Sequence, residues 1–220
     1  MVKPRVVETG EGIQGEYDVE IYDRMMRRMR DKGWLESNLI LKAGIVKGLA
    51  LEVGPGPGYL GLEWLKRTNG TNLKGIEISP NMIQIAERNS KEYAFEDRVQ
   101  YVKGDAQEMP FDDNMFDAVF TNGSLHEWPE PMKIFNQIQR VLKPGGKYCI
   151  IDLRRDMSPF VKCFMKAVTK PKEIRSGLIS SIKAAYTVEE IRSILAASSL
   201  YEYSVKKSIM GLVITGQKAG

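Results

Sequence analysis

One short segment decides how this sequence is interpreted: Leu51-Glu52-Val53-Gly54-Pro55-Gly56-Pro57-Gly58-Tyr59-Leu60. The apolar run Leu49–Val53 is typical of a buried strand, and the leucines that follow the glycines predict a helix. Three glycines at alternate positions exceed what a simple chain reversal requires. In an open α/β sheet such a loop lies at the carboxyl ends of the strands, where ligands bind. The segment therefore predicts a ligand-binding loop.

The chemistry of this loop favours a cationic ligand without phosphates. Gly56–Gly61 formally satisfies the dinucleotide fingerprint G-x-G-x-x-G, but Gly54 already follows the strand directly, so that register starts late. Pro55 and Pro57 remove two backbone donors that a pyrophosphate would need. Glu52 adds a negative charge at the end of the strand, which disfavours a phosphate and favours a positively charged group.

The rest of the chain alternates between strand and helix patterns, with Pro144–Gly146 predicted to close a helix. Further strands are predicted at 73–78, 99–102, 116–121, 148–153, 201–206 and 209–215, and helices at 16–31, 35–46, after Ser79, after Pro131 and after Thr187. This rhythm predicts a doubly wound α/β fold with a mostly parallel seven-stranded sheet and helices on both faces. We expect residues 1–47 to form a helical lid and residues 48–220 the α/β domain, with a basic helical insert at about 154–186.

Five segments over residues 48–153 together resemble motifs of the class I S-adenosylmethionine-dependent methyltransferases. Within that family, they are most similar to the quinone-biosynthesis-type and related small-molecule methyltransferases. They are Glu52-x-Gly54-x-Gly56-x-Gly58, Gly75-Ile-Glu77-Ile-Ser-Pro80, Gly104-Asp-Ala-Gln-Glu-Met-Pro-Phe111, Phe116-Asp-Ala-Val-Phe120 and Val141-Leu-Lys-Pro-Gly-Gly146. The resemblance implies a Rossmann-like methyltransferase fold and S-adenosyl-L-methionine as the cofactor.

The resemblance also implies a set of cofactor-binding residues: Glu52, Gly54, Gly56, Gly58, Glu77, Ile78, Asp105, Ala106, Asn122 and Gly123. At the end of the second strand, Glu77 can accept both ribose hydroxyls. Asp105 is expected at the adenine amino group, and Asn122 and Gly123 near the transferred methyl. Methyl transfer from a sulfonium is an in-line displacement, for which the protein mainly provides alignment.

His126 is the single histidine and follows the fourth predicted strand. It is our candidate for a general base toward a proton-bearing acceptor, since its ordinary pKa lies near neutrality. A packing or substrate-positioning role is the alternative.

The acceptor is expected to be a small molecule, anionic or phenolic. Met25 and Met29 on the first helix can cover an apolar substrate, or can instead pack on the sheet. Arg154 and Arg155 leave the fifth strand at the substrate edge and are expected to contact the acceptor. Their basic surroundings also suit an anionic membrane surface, a protein partner or plain solvent. Asn122-Gly-Ser-Leu125 departs from the element of base-methylating relatives, so nucleic acid is an unlikely acceptor.

Composition and charge limit the possible partners, metal sites and location of the protein. The net charge of +4 is too small to indicate nucleic-acid binding by itself. Cys149 and Cys163 are too few for a disulfide framework, and a single histidine argues against a protein-built zinc site, so we expect no metal. No signal peptide or membrane span is recognisable, which favours the cytoplasm. The alternatives are a non-catalytic S-adenosylmethionine-binding module, an NAD-dependent oxidoreductase, and a tRNA or protein methyltransferase that uses the basic insert. The oligomeric state is open.

Overall fold

A seven-stranded sheet with helices on both faces organises the chain. The computed structural model describes residues 3–8, 13 and 15–220. The elements are α1 (Glu16–Asp31), α2 (Ser37–Lys42), β1 (Leu49–Val53), α3 (Tyr59–Lys66), β2 (Asn72–Glu77), α4 (Pro80–Glu92), β3 (Val99–Lys103), β4 (Phe116–Asn122), α5 (Pro131–Val141), β5 (Leu142–Leu153), α6 (Pro159–Val168), α7 (Arg175–Ala184), α8 (Val188–Ala196), β6 (Tyr203–Lys207) and β7 (Gly211–Gln217). Short 3₁₀ turns lie at 106–108, 125–127 and 172–174.

The strand order across the sheet is β3-β2-β1-β4-β5-β7-β6. β1 pairs in parallel with β2 and β4, and the parallel pairing continues to β3 and β5. β7 is antiparallel to both of its neighbours, β5 and β6. The order reverses between β1 and β4, which opens a crevice at the carboxyl ends of these strands. The predicted fold class is confirmed.

Two apolar layers cover the sheet, one on each face. Alternate residues of β1 point to opposite faces, so that Leu51 belongs to one layer and Ala50 to the other. The first layer includes Phe135 of α5 and Ile191 of α8, and the second includes Trp64 of α3. Both layers are closed cores, and they leave the carboxyl edge of the sheet free for a site.

β5 begins earlier than the sequence pattern indicates. Pro144–Gly146, predicted to end the preceding helix, lies inside this strand. The pairing register between β4 and β5 shifts between Phe116 and Ala118, so the extra residues of β5 bulge out there. Asp117 holds this region by accepting hydrogen bonds from the Leu49 amide at 2.9 Å and from Lys143 Nζ at 2.8 Å.

A buried carboxylate joins α1 to the rest of the chain. Asp23 is 2% exposed and accepts hydrogen bonds from Arg88 at 2.9 Å and from Asn89 Nδ2 at 3.0 Å. Asn89 Nδ2 also donates to the Pro57 carbonyl at 2.9 Å, so one amide group connects α1 with the glycine loop. The separation of residues 1–47 as a lid stays a prediction.

The basic stretch at 154–186 contains α6, a 3₁₀ turn and α7, and its limits as an insert also stay a prediction. α6 has no buried residue, whereas α7 buries Ile182 and Ala184. Among the described residues, no helix is both long enough and apolar enough to cross a bilayer.

The two faces of α5 should differ sharply in their contribution to stability. Ile138 is fully buried, so Ile138→Ala removes buried methyl groups and leaves a cavity; we expect a loss of about 3 kcal/mol in the free energy of unfolding. Met132 on the same helix is 43% exposed, and Met132→Ala is the matched control, expected to change little. Urea unfolding followed by circular dichroism measures both. Equal losses in the two variants would contradict the assigned packing of α5.

Candidate functional site

A cleft of about 960 Å³, open to solvent, lies at the carboxyl ends of β1, β2 and β4. Its lining includes residues from the glycine loop, from the ends of three strands, from α1 and from the turn after β4. The sequence-predicted residues that line it are Glu52, Gly54, Gly56, Glu77, Ile78, Asp105, Ala106, Asn122 and Gly123. None of the residues lining the cleft in the described part of the chain carries a basic side chain.

The alternating glycines are explained by the backbone of the loop. Gly54, Gly56 and Gly58 have φ values of 63°, 54° and 82°, which residues other than glycine rarely adopt. A Cβ at Gly54 would also lie 2.3 Å from Ser124 Oγ. Gly58 does not line the cleft: it precedes α3, and a Cβ there would lie 2.5 Å from the Tyr101 hydroxyl. Its requirement for glycine is structural.

Glu77 connects two loops through its carboxylate. One oxygen accepts the Gly56 amide and the other the Ser79 amide, each at 3.0 Å. Burial raises the pKa of this carboxyl group, and these amides oppose the shift. The carboxylate lies at the wall of the cleft, where its remaining acceptor capacity can serve a hydroxyl or an amine.

Glu52 lies deeper, beside the first turn of α3. Its Oε2 has no hydrogen-bond partner among the described residues, and a Cβ at Gly61 would lie 2.3 Å from it. Burial, followed by the nearby charge of Glu77, raises its pKa well above the usual range. A cationic group in the cleft would compensate this buried acid.

Asp105 contributes its carboxylate to the outer part of the cleft, just before the 3₁₀ turn 106–108. Its Oδ1 accepts the Gln107 amide at 2.8 Å, and its Oδ2 accepts Gln107 Nε2 at 3.0 Å. The charged side chains of the lining are therefore all acidic, which suits a cation and opposes a phosphate.

His126 lies behind the cleft rather than in its wall. It is 5% exposed, and its Nδ1 lies 2.9 Å from Oδ1 of the buried Asp152. Burial lowers the histidine pKa, but Asp152, Glu127 and Glu8 outweigh that effect and raise it to about 9. At neutral pH His126 is therefore a cation held among carboxylates.

Glu127 is the residue of this group that lines the cleft, and no sequence pattern marks it as a site residue. Its Oε1 lies 3.9 Å from His126 Nε2, and Glu8 Oε2 lies 3.6 Å from the same nitrogen. Burial raises the pKa of Glu127 to about 7 even though His126 opposes the shift. The ligand atoms of Glu8, His126 and Glu127 lie within 4.8 Å of one another, close enough to share a cation. A protonated His126 neutralises the same carboxylates without one.

The part of α1 that reaches the cleft differs from the expected one. Tyr22 and Met26 line it, whereas Met25 and Met29 do not. The ring of Tyr22 lies over the glycine loop, with its Cε1 3.5 Å from a Cβ position at Gly56. The apolar spacing in the sequence indicates which side of α1 is apolar, but it does not indicate which residues on that side reach the cleft.

Arg154 and Arg155 are also absent from the cleft, and both are buried. Arg154 pairs with Asp156 at 2.8 Å and donates to the Ser208 carbonyl. Arg155 pairs with both oxygens of Glu190 and donates to the Lys3 and Ala185 carbonyls. Their donors serve contacts within the chain, so the structure does not bring them to an acceptor as the sequence suggested.

The chain has relatives among known proteins. Residues 51–150 match a family described as a methyltransferase domain. An uncharacterized methyltransferase of Bacillus subtilis is 34% identical over 149 residues, which are 66% of this chain and 75% of that protein. The chain belongs to the class I S-adenosylmethionine-dependent methyltransferase family.

Two further matches place this methyltransferase chain in context. A demethylmenaquinone methyltransferase of Clavibacter sepedonicus is 35% identical over 122 residues, 54% of this chain and 47% of that protein. The crystal structure of a candidate S-adenosylmethionine-dependent methyltransferase from Methanococcus maripaludis superposes with a TM-score of 0.75 at 23% identity and covers 99% of this chain and 98% of that one. This second likeness concerns the fold. The chain spans only 25 to 58% of the length of several curated relatives.

The methyltransferase cleft fits S-adenosylmethionine in charge. Its charged lining residues in the described part of the chain are acidic, which suits the sulfonium and ammonium groups of that molecule, and the Glu77 carboxylate in its wall can accept hydroxyl groups. A Cβ at Gly56 would meet only Tyr22 Cε1, at 3.5 Å, so the absence of a side chain there leaves the loop backbone open beside the cleft. Pro55 and Pro57 lack the amides a pyrophosphate would use, which disfavours a dinucleotide.

Arg155 should matter for folding rather than for acceptor affinity. Arg155→Ala leaves the half-buried Glu190 and two carbonyls without their donor, so we expect a loss of about 3 kcal/mol in unfolding free energy. Lys166→Ala, at an exposed lysine of the same basic stretch, is the control and should change little. Urea unfolding measures both variants. Unchanged stability of Arg155→Ala together with weakened acceptor binding would restore the substrate role expected from the sequence.

Proposed function

We propose that this protein transfers the methyl group of S-adenosylmethionine to an apolar or phenolic small molecule. The observation that carries the proposal is the cleft between the glycine loop and Glu77, at the point where the strand order reverses; every charged side chain in its described lining is acidic. Such a cleft favours a cationic, phosphate-free ligand. S-adenosylmethionine, when bound, supplies an activated methyl group that leaves a positively charged sulfur.

On the cofactor side, each residue of the cleft contacts a defined part of S-adenosylmethionine. Glu77 holds the ribose hydroxyls, and Asp105 faces the adenine. Gly54 and Gly56 let the backbone approach the methionine portion, while Asn122 and Gly123 border the methyl group. The acidic walls keep the sulfonium oriented toward the acceptor side, where Tyr22 and Trp128 line the cleft.

On the acceptor side, the lining favours an uncharged molecule. Met26 and Trp128 give apolar surface, and Tyr22 provides an aromatic face with a hydroxyl. Glu127 disfavours an anion there, and Arg154 and Arg155 lie elsewhere, so of the two expected classes we retain the phenolic one. The similarity to a demethylmenaquinone methyltransferase is consistent with a small-molecule acceptor of the quinone class.

We further propose that Glu127 removes the acceptor proton and that protonated His126 positions it. Glu127 lines the cleft and has a pKa near 7, which suits a base at neutral pH. Protonated His126, fixed by Asp152, keeps this carboxylate ionised and oriented. In this arrangement His126 is a positioning residue, whereas the sequence suggested that it removes the proton itself.

Ligand binding and methylation assays test the alternative functions. A non-catalytic module would bind S-adenosylmethionine without methylating any phenolic acceptor, and an oxidoreductase would bind NAD. Nucleic acid is a poor candidate for this acidic cleft. The cytoplasmic location and the domain limits stay predictions from the sequence.

Cofactor binding should depend strongly on Glu77. Because this carboxylate provides charged hydrogen bonds worth about 1.5–3 kcal/mol, Glu77→Ala should weaken S-adenosylmethionine binding roughly 10- to 100-fold in calorimetric titration. The exposed Glu96→Gln variant is the control and should bind normally. Titration with NAD should give no heat of binding. Binding of NAD alone would overturn the proposed function.

The rate of methyl transfer should be bell-shaped in pH. It rises as Glu127 ionises near pH 7 and falls as His126 loses its proton near pH 9. Glu127→Gln should remove the lower limb and reduce kcat roughly 10²- to 10⁴-fold, while His126→Gln should remove the upper limb. Initial rates with a phenol panel give the profile.

Glu130→Gln, at an exposed acid close to the same turn, serves as the control and should keep both limbs. A rate that only rises, with its midpoint near pH 9, would show that neutral His126 is the base and would refute the assignment to Glu127.

A further inference from the structure

Helix α6 carries large apolar side chains into solvent. Phe160 is 86% exposed, Phe164 61% and Val168 38%, and the spacing of four residues places them along one side of the helix. Leaving two phenylalanines in water forgoes the stabilisation that their burial would give. A contiguous exposed apolar stripe of this kind marks an interaction site rather than ordinary surface.

The helix is nevertheless well formed, so its stripe is already in place for binding. Ser158 caps its amino end by accepting the Val161 amide at 3.3 Å. At the other end, Arg175 donates to the Thr169 carbonyl at 3.1 Å and to the Ala167 carbonyl at 3.0 Å. Hydrogen bonds therefore hold both ends of α6, although the helix has no buried residue.

The charges around the stripe are of one sign. Lysines stand at 162, 166, 170 and 172, and no acidic residue occurs between Met157 and Lys172. Lys162 and Lys166 fall on the side of the helix opposite Phe160 and Phe164 when residues are placed at 100° intervals. An apolar face beside a lysine-rich polar face is the pattern of helices that lie in the plane of a membrane interface.

We propose that α6 docks on the surface of an anionic phospholipid membrane, with Phe160, Phe164 and Val168 at the level of the acyl chains and the lysines at the headgroups. Charge complementarity selects this partner, because Lys166 and Lys170, with no acidic residue between Met157 and Lys172, attract anionic headgroups while the apolar side chains enter the hydrocarbon boundary. Lys162 lies nearer the body of the protein, where its Nζ donates to the Arg155 carbonyl.

The position of α6 gives such docking a use. α6 contacts α7, α7 packs against the turn 125–127 that holds Glu127, and the turn 172–174 contacts α1. A docked α6 would bring the acceptor side of the cleft close to the membrane surface. This use rests on the proposed apolar acceptor, whereas the docking itself does not.

The test is sedimentation of the full chain with vesicles, without cofactor or acceptor. Vesicles containing phosphatidylglycerol in phosphatidylcholine should bind the protein, and pure phosphatidylcholine vesicles should bind it much less. Phe160→Ser combined with Phe164→Ser should reduce the bound fraction at least about tenfold. Lys166→Glu combined with Lys170→Glu should abolish the preference for anionic lipid, and rising salt should weaken wild-type binding.

The matched control combines Val46→Ser with Tyr201→Ser, two exposed apolar residues outside the insert, and should bind like the wild type. All variants should keep the thermal midpoint and the S-adenosylmethionine affinity of the wild type, which separates this test from that of the proposed function. Equal binding by the phenylalanine variant, or no vesicle binding by the wild type, overturns the proposal. The proposal is also overturned if the wild type forms a dimer that dissociates in the phenylalanine variant, or if the wild type binds RNA but not vesicles.

Discussion

The carboxylate of Glu77 is the point on which the site depends. It holds the amide of Gly56 in the loop after β1 and the amide of Ser79 at the start of α4, so the edges of two neighbouring strands form one wall. Because Pro55 and Pro57 have no amide hydrogen, Gly56 gives this loop a donor that the prolines cannot provide. The wall stays polar at the same place where the fold needs a fixed turn.

The coupling extends outward from this wall to α1. Asn89 of α4 donates both to the loop carbonyl of Pro57 and to the buried carboxylate of Asp23. Arg88 adds a charged hydrogen bond to the same carboxylate. Release of α1 would leave Asp23 or its partners unpaired at low dielectric, so the position of Tyr22 over the loop is tied to that of the loop itself.

Sequence reasoning succeeded where the backbone imposes the residue type. Alternate glycines with positive φ and apolar strands that pack on both faces have few substitutes, so the fold and the location of the cleft followed from local pattern. It was weaker where contacts join distant segments. The sequence predicts Arg155 at the acceptor, but its partners Glu190 and Lys3, which lie 35 and 152 residues away, hold it inside the fold. Glu127 is not predictable in the same way, because no sequence pattern reveals which of two adjacent residues points into a cleft.

Because α6 has no buried residue, the core closes without it. Substitutions along this helix meet little resistance from the folding free energy, unlike those at Leu51 or Phe135. Natural variation can therefore accumulate there at low thermodynamic cost, while the cofactor half stays under strict steric constraint. The ten residues of α6 can therefore change the outer surface of the protein without altering the packing around the cleft.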